Sequence, residues 1–277
     1  MIPFIACLLV VLNADALGLS TTAAMVIAFS VTAVWWGACT LPLLKSYRQT
    51  AYSAHTGNPL VSAFSRLGKT FSEVKQQKHI FLYMVSFFFF IDGVYTIIGM
   101  ATTYGSSLGL DSTGLLLALL VTQIVAFPCS IVFGRLSAKY DTALLIKVSI
   151  LCYSGIALFG MFLQQLWQFW LLAVLVGMFQ GGIQALSRSY LAKIIPPERS
   201  GEYFGMMDTF GKGADAIGPA IIALVTNLVG DRTVTVFGTQ LRGQNLGVGF
   251  LVLLFIIGFV LFAKADRLNK ERRKASV

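Results

Sequence analysis

Seven apolar stretches, each long enough to cross a lipid bilayer, recur along the chain at about residues 22–44, 79–101, 112–135, 143–163, 167–190, 203–229 and 245–263. A bilayer core needs roughly 20 apolar residues per helical span. No water is available there, so each segment must satisfy its own backbone, and the runs predict helices rather than strands. The opening MIPFIACLLVVL is apolar but shorter, and it reads as the end of a further helix, making about eight spans with the first partial. It has neither a basic leader nor a small-residue cleavage site, so it does not read as a signal peptide. Composition agrees. The chain is 56% hydrophobic and 12% charged, against roughly 25% charged in a soluble domain. The expected fold class is an all-α membrane protein, an integral multi-pass bundle whose surrounding partner is the lipid bilayer.

Lysine and arginine alternate between the connections. The 45–78 loop holds Lys45, Arg48, Arg66, Lys69, Lys75 and Lys78. Arg135, Lys139 and Lys147 follow near the next even turn, then Arg188, Lys193 and Arg199, then a C-terminal cluster from Lys264 to Lys274. The intervening loops hold none, apart from Arg232 and Arg242 at 230–244. Positive charge marks cytoplasmic loops, so the basic connections and the C-terminus are expected on the cytoplasmic side. The same pattern explains the net charge of +9 as topology, and no nucleic-acid partner is expected. Trp167 and Trp170 open a helix on the opposite side, where indoles anchor at headgroups.

Within the long loop, Val61, Phe64, Leu67, Phe71 and Val74 recur at three- and four-residue spacing, with Arg66, Lys69 and Glu73 facing away. That pattern predicts an amphipathic helix on the inner leaflet. It also divides the chain: residues 1–44 with two spans, the first truncated; a linker at 45–78; six spans at 79–263; and a basic tail at 264–277.

Enzymatic and metal chemistry finds no foothold. Cys7, Cys39, Cys129 and Cys152 all lie in apolar runs without a CxxC pair and read as small buried hydrophobes. GSSLG at 105–109 matches GxSxG as a string, but it joins two membrane helices, and the only histidines, His55 and His79, map to the other side. Zinc-protease, Walker and dinucleotide motifs are absent from the sequence. No cofactor is expected.

Charge inside a membrane is costly, about 2.5–3.5 kcal/mol at a helix centre, and so marks candidate sites. Asp92 lies roughly 20 Å into its helix, with Thr96 one turn on. A midplane carboxylate there can bind a proton, a cation or a substrate amine, or it can make a structural hydrogen bond to a neighbouring helix. Asp208, Lys212 and Asp215 are spaced by four and three and share one helix face. They read either as an intrahelical clamp or as a charge relay lining a wet cavity. Gln123, Gln180 and Gln184 are suited to a polar path or to interhelical hydrogen bonds. Gly177 with Gly181, and Gly201 with Gly205, form GxxxG pairs that allow close helix approach. Gly134 and Arg135 begin the basic turn FGRLSAKYD, whose Lys139 and Asp141 can latch neighbouring helix ends as a gate.

Three stretches, FFIDGVYTIIGMATTYG, VTQIVAFPCSIVFGRLS and GGIQALSRSYLAKIIPPERSGEYFGMMDTFGKGADAIGP, resemble the C-terminal half of the vacuolar-effluxer-like family of major facilitator transporters. The likeness spans about residues 79–263. It implies a twelve-helix fold of two six-helix halves around an alternating-access cavity, with residues 79–263 as helices seven to twelve, so that this chain holds the C-terminal two-thirds. On that pattern Asp92 matches the Asp-Gly of helix seven. Gly134, Arg135 and Lys139 match the gate loop between helices eight and nine, while Pro197, Glu198, Arg199, Gly205, Gly211, Lys212, Gly218 and Pro219 match the helix ten–eleven region. The resemblance implies a secondary transporter in a bacterial inner membrane, its partners a small solute, amino acids in particular, and coupled protons. A further implied partner is a separate chain supplying the remaining helices. The alternative expectation is a non-transporting remnant or scaffold.

Overall fold

Three of the described helices start at a short polar side chain that caps them. The computed structural model describes residues 2–48, 68, 71–230 and 232–275, and the chain forms two compact units, Met1–Pro59 and Leu60–Val277. In the first unit, α1 (Ile2–Leu12) pairs with α2 (Thr21–Ser46), which begins where the Ser20 hydroxyl accepts the Ala23 N–H at 3.2 Å. In the second, α3 (Lys78–Ser107) is followed by α4 (Ser112–Lys139), capped by Asp111, and α5 (Thr142–Met161), capped by Asp141. The cap bonds are 2.6 Å to Gly114 N and 3.1 Å to Ala143 N. Then come α6 (Leu166–Ile194), a 3₁₀ turn (Pro197–Arg199), α7 (Ser200–Ala214), α8 (Ile217–Val229) and α9 (Gly243–Ala275).

Among the described residues, seven helical segments are long and apolar enough to cross a membrane, Pro197–Val229 counting as one. The chain is an all-α, multi-pass integral membrane protein. At 11 residues, α1 is about 16 Å long and does not cross a bilayer core by itself. Large apolar side chains such as Phe127, Ile131, Leu151, Ile256 and Val260 are exposed on α4, α5 and α9, as a lipid-facing surface requires.

Inside the second unit, α3 lies along α9, and α4 along α6. The first pair is joined by the Ser86 hydroxyl, which donates to the Gly258 carbonyl at 2.7 Å, and by the rings of Tyr83 and Phe90 against Phe262, on which Tyr190 of a third helix also packs. The second pair meets at Gly177 and Gly181. A Cβ on Gly177 would sit 2.6 Å from the Thr122 carbonyl oxygen, and one on Gly181 would strike Ser130. At the far end of the bundle, Asn245 Nδ2 donates to Tyr104 Oη (2.8 Å) and the Met161 carbonyl (3.1 Å), tying α9 to α3 and α5.

Several expectations are corrected. The run at 203–229 is not one helix: it breaks at Asp215–Ala216 into α7 and α8, where glycines and polar residues weaken the helix. The 264–277 tail is helical through Ala275 as a continuation of α9. Gly134 and Arg135 lie within α4 rather than in a turn, leaving only Tyr140–Asp141 between the helices. The 230–244 loop carries a small antiparallel hairpin, Val234–Val236 with Thr239–Leu241. It turns on Phe237 and Gly238, both at positive φ (49° and 79°), which is the primed-turn geometry. Gly201 and Gly205 have open space beside them and do not mediate helix contact. Cys39 is exposed and the other three cysteines are half-buried rather than in the core.

Of the expected amphipathic helix, Val61, Phe64, Leu67, Arg66 and Lys69 lie outside the described residues. Residues 71–76 are helical. There Val74 is 1% exposed and belongs to the core of the bundle, Phe71 stacks on Phe210, and Glu73 pairs with Arg199. This part of the segment packs on protein.

Candidate functional site

Asp92 is fully buried halfway along α3. Its Oδ1 accepts the backbone N–H of Gly218 at 3.1 Å, and its Oδ2 has no partner among the described residues. Gly218 is the second residue of α8. The carboxylate therefore meets the positive end of a helix dipole at an N–H that has no intrahelical acceptor. A broken membrane helix whose free end faces a polar group at mid-depth is a recurrent architecture of solute and ion sites. Thr96, one turn on, is 2% exposed with its hydroxyl unpartnered. A Cβ at Gly218 would collide with that hydroxyl, so only glycine lets α8 approach α3 this closely.

Two cavities flank this point. The first, of about 130 Å³, is polar and lies toward the basic end of the bundle. It is lined by Tyr95, Gln184, Arg188, Asp208, Lys212 and Asp215 together with Phe87, Ile91, Met207 and Gly211. Of the two readings of this face, the intrahelical clamp along α7 does not form. Asp208 instead pairs across helices with Arg188 of α6 at 2.9 Å. Among the described residues, no carboxylate lies within ion-pair distance of the Lys212 ammonium or bridges to it from Asp215. The three residues do share one cavity, as their common helix face requires, and the pairing of Asp208 runs to another helix. Arg188, which the sequence marked only as a topological charge, is the residue that was missed. Its signal was its place four residues after Gln184, on the same helix face.

The second cavity, of about 380 Å³, opens toward the other end and is largely apolar. Thr96, Gln123 and Gln180 line it, with Thr122, Tyr104 and Asn227. Gln180 Oε1 is buried without a partner. The glutamines expected on a polar path thus divide between the cavities, Gln184 in the first, Gln123 and Gln180 in the second.

The expected gate residues are not gathered. Gly134, Arg135 and Lys139 are exposed on the last turns of α4, and neither basic group has an ion pair among the described residues; nor does Glu198. Asp141 and Arg199 are engaged elsewhere. Asp141 caps α5 and binds Lys270 of α9 at 2.9 Å, and Lys270 also reaches Asp266, which Lys147 holds at 2.6 Å. Burial pushes the Asp141 carboxyl up. The bonds from Lys270 and the Ala143 N–H, with the charges of Lys270 and Lys147, outweigh it and hold the group below the ordinary carboxylate range. Arg199 binds Glu202 at 2.6 Å and also Glu73, while its guanidinium lies over the Tyr203 ring and Gln77 donates to the Tyr203 hydroxyl at 3.2 Å. The segment before α3 is thereby strapped to the start of α7.

The vacuole effluxer Atg22-like family model matches residues 1–275. An uncharacterized MFS-type transporter, YxiO, of Bacillus subtilis strain 168 is 40% identical over 264 residues, covering 95% of this chain and 59% of its own length. Autophagy-related protein 22-1 of Emericella nidulans is 25% identical over 258 residues, 81% of this chain and 42% of that protein. Autophagy-related protein 22 of Cryptococcus neoformans is 24% identical over 271 residues, 90% and 47% respectively. The chain spans less than two thirds of each of these relatives.

Proposed function

The chain belongs to the vacuole effluxer Atg22-like family of MFS-type proteins, and from that premise we propose that it serves a secondary active transporter moving a small solute by alternating access. The observation that carries this reading is the half-satisfied Asp92 carboxylate, buried between two cavities and holding the free end of a broken helix. Such a group binds a proton or cation with little competition from solvent, and its state bears directly on the helix that would have to move. Asp92 is the coupling residue in this reading. Thr96 supports it, and the Asp215–Ala216 break is the hinge.

Amino acids are the proposed cargo and efflux the proposed direction. The polar cavity offers the ammonium of Lys212 for a carboxylate and the carboxylate of Asp215 for an ammonium. The family's description as vacuole effluxers supports the direction. Gln123 and Gln180 line the onward path, and the Asp141–Lys270 and Arg199–Glu73 ties brace the basic ends of the helices. The basic end, with the C-terminus, is the cytoplasmic side, and the membrane is a bacterial inner membrane.

The test is solute flux in membrane vesicles from cells expressing the reading frame that encodes this chain, with and without a pH gradient, using a panel of amino acids. Gradient-dependent flux that falls at least tenfold in Asp92→Asn supports the assignment. Flux that is indifferent to the substitution at every pH removes Asp92 from the coupling.

A further inference from the structure

A third cavity, open and of about 300 Å³, lies at the basic end of the bundle between α5 and α9. It is lined by Lys147 of α5 and by Asp266, Arg267, Lys270, Glu271 and Lys274 of α9. Four cations there face two carboxylates. The imbalance runs along the helix end, where residues 264–274 hold six Lys and Arg against two Asp and Glu.

The ion pairs within the groove leave positive charge over. Buried Asp266 draws Lys147 at 2.6 Å and Lys270 at 3.2 Å, and Lys270 also binds Asp141 at 2.9 Å. Those two carboxylates match those two lysines. Arg267 bonds Glu271 at 2.8 Å, one turn along the same helix, and both side chains are exposed. Exposed pairs of this kind are weak, so the guanidinium is available to a stronger acceptor. Lys274 has no ion pair among the described residues.

The place of the groove decides which anion reaches it. Ile256, Val260, Arg267 and Lys274 are separated by four, seven and seven residues, so at 3.6 residues per turn they fall on one line along α9. Ile256 and Val260 are exposed apolar side chains on the lipid-facing surface, and Arg267 and Lys274 prolong their line. On α5, Lys147, Leu151 and Leu158 are likewise spaced by four and seven, and both leucines are exposed. Two apolar stripes therefore end at one basic groove. A soluble anion would use only the groove, whereas an amphiphile with an anionic head uses the groove and both stripes. Basic pockets between membrane helices are suited to such headgroups. A phosphodiester offers the paired oxygens that a guanidinium fork binds best. A choline head would set its own cation against these basic groups.

We propose that this groove binds the headgroup of an anionic phospholipid. The phosphate accepts from Arg267 and Lys274, and the acyl chains lie along Leu151, Leu158, Ile256 and Val260. Asp266 positions Lys147 and Lys270 in the wall. The inference rests on the membrane fold and not on the transport reading.

The test is native mass spectrometry of the full chain in a neutral detergent, titrated with phosphatidylglycerol or with phosphatidylcholine of the same acyl chains. The expected result is one phosphatidylglycerol bound saturably, at least about fivefold tighter than phosphatidylcholine, with the preference shrinking as the ammonium acetate concentration rises. Arg267→Gln combined with Lys274→Gln is expected to bring that ratio below about twofold. Lys274→Glu, which reverses one exposed charge, is expected to lower it as well. Lys75→Gln combined with Lys78→Gln removes the same charge from exposed positions at the start of α3 and is expected to leave the ratio unchanged. Equal affinity for the two lipids, a ratio that persists in the Arg267 and Lys274 variants, or an equal fall in the Lys75 and Lys78 variant would each overturn the proposal. Displacement of phosphatidylglycerol by excess inorganic phosphate would overturn it too, by assigning the groove to a soluble anion. No flux enters the measurement, so this inference and the transport reading fail separately.

Discussion

The Gly218 N–H donates to Asp92 Oδ1 at 3.1 Å across 126 residues of sequence, and in the same contact the Gly218 Cα faces the Thr96 hydroxyl with no room for a Cβ. One glycine thus supplies a bond to the candidate coupling carboxylate and the close approach that makes the bond possible. Gly218→Ala should separate α8 from α3 and cost about 1–3 kcal/mol, the usual cost of overpacking. Thermal unfolding in detergent would register the loss, and Thr96→Ala in the same chain should restore part of it by removing the colliding hydroxyl.

The α4–α6 contact makes a paired comparison available. At Gly177 the nearest obstacle to a Cβ is the Thr122 backbone carbonyl, which cannot rotate away, whereas Gly205 has nothing within 4 Å. Gly177→Ala should therefore destabilise by about 1–3 kcal/mol. Gly205→Ala, on an open face of α7, should stabilise by about 0.4–1 kcal/mol through the unfolded chain. Opposite shifts in melting temperature are the expected readout. Equal shifts would mean that helix propensity, not packing, dominates at both.

Asp141 carries a pH prediction. Its folded-state carboxyl lies below its ordinary value because Lys270, the Ala143 N–H and Lys147 outweigh its burial. A depressed carboxyl contributes stability that is fully present above the unfolded value of about 3.9 and is lost as pH falls through the lower folded value. Acid unfolding curves of Asp141→Asn should be flatter than wild type below about pH 4 and should lie below it at neutral pH. A variant curve parallel to wild type through the acid limb would show that the Lys270 pairing contributes nothing.

Asn245 closes the opposite end of the bundle with donors to Tyr104 Oη and to the Met161 and Leu163 carbonyls, and its Oδ1 accepts from Arg242 N at 3.3 Å. It is 3% exposed. Asn245→Leu should cost about 1–3 kcal/mol by leaving the Met161 and Leu163 carbonyls unpaired. Hydrogen exchange of the Gly243–Leu246 amides should rise in step. Unchanged protection there would mean that the hairpin and not Asn245 holds the start of α9.

The span count was legible because length and apolarity are read residue by residue. The helix starts at Asp111 and Asp141 sit where the apolar runs begin. The Asp208, Lys212 and Asp215 face was equally legible from spacing. Its electrostatics were not: Lys212 lies on the right face, yet Asp208 is held by Arg188, 20 residues away on another helix. The same limit hid the burial of Asp266, which sits in a run of basic residues that reads as a solvated tail and is in fact 3% exposed between Lys147 and Lys270.

What the amino-acid sequence determined alone was the solvent and the helical character of the long apolar runs. Apolar runs of bilayer length must satisfy their own backbone as helices wherever they are placed. The buried Asp92 followed too, because a charge inside such a run is visible without its neighbours. The tertiary structure alone decided which groups that carboxylate and the other charges meet, and where two cavities open beside them. Contacts between helices depend on rotation and crossing, and those are set by the whole pattern of large and small side chains around each helix, which no local spacing contains.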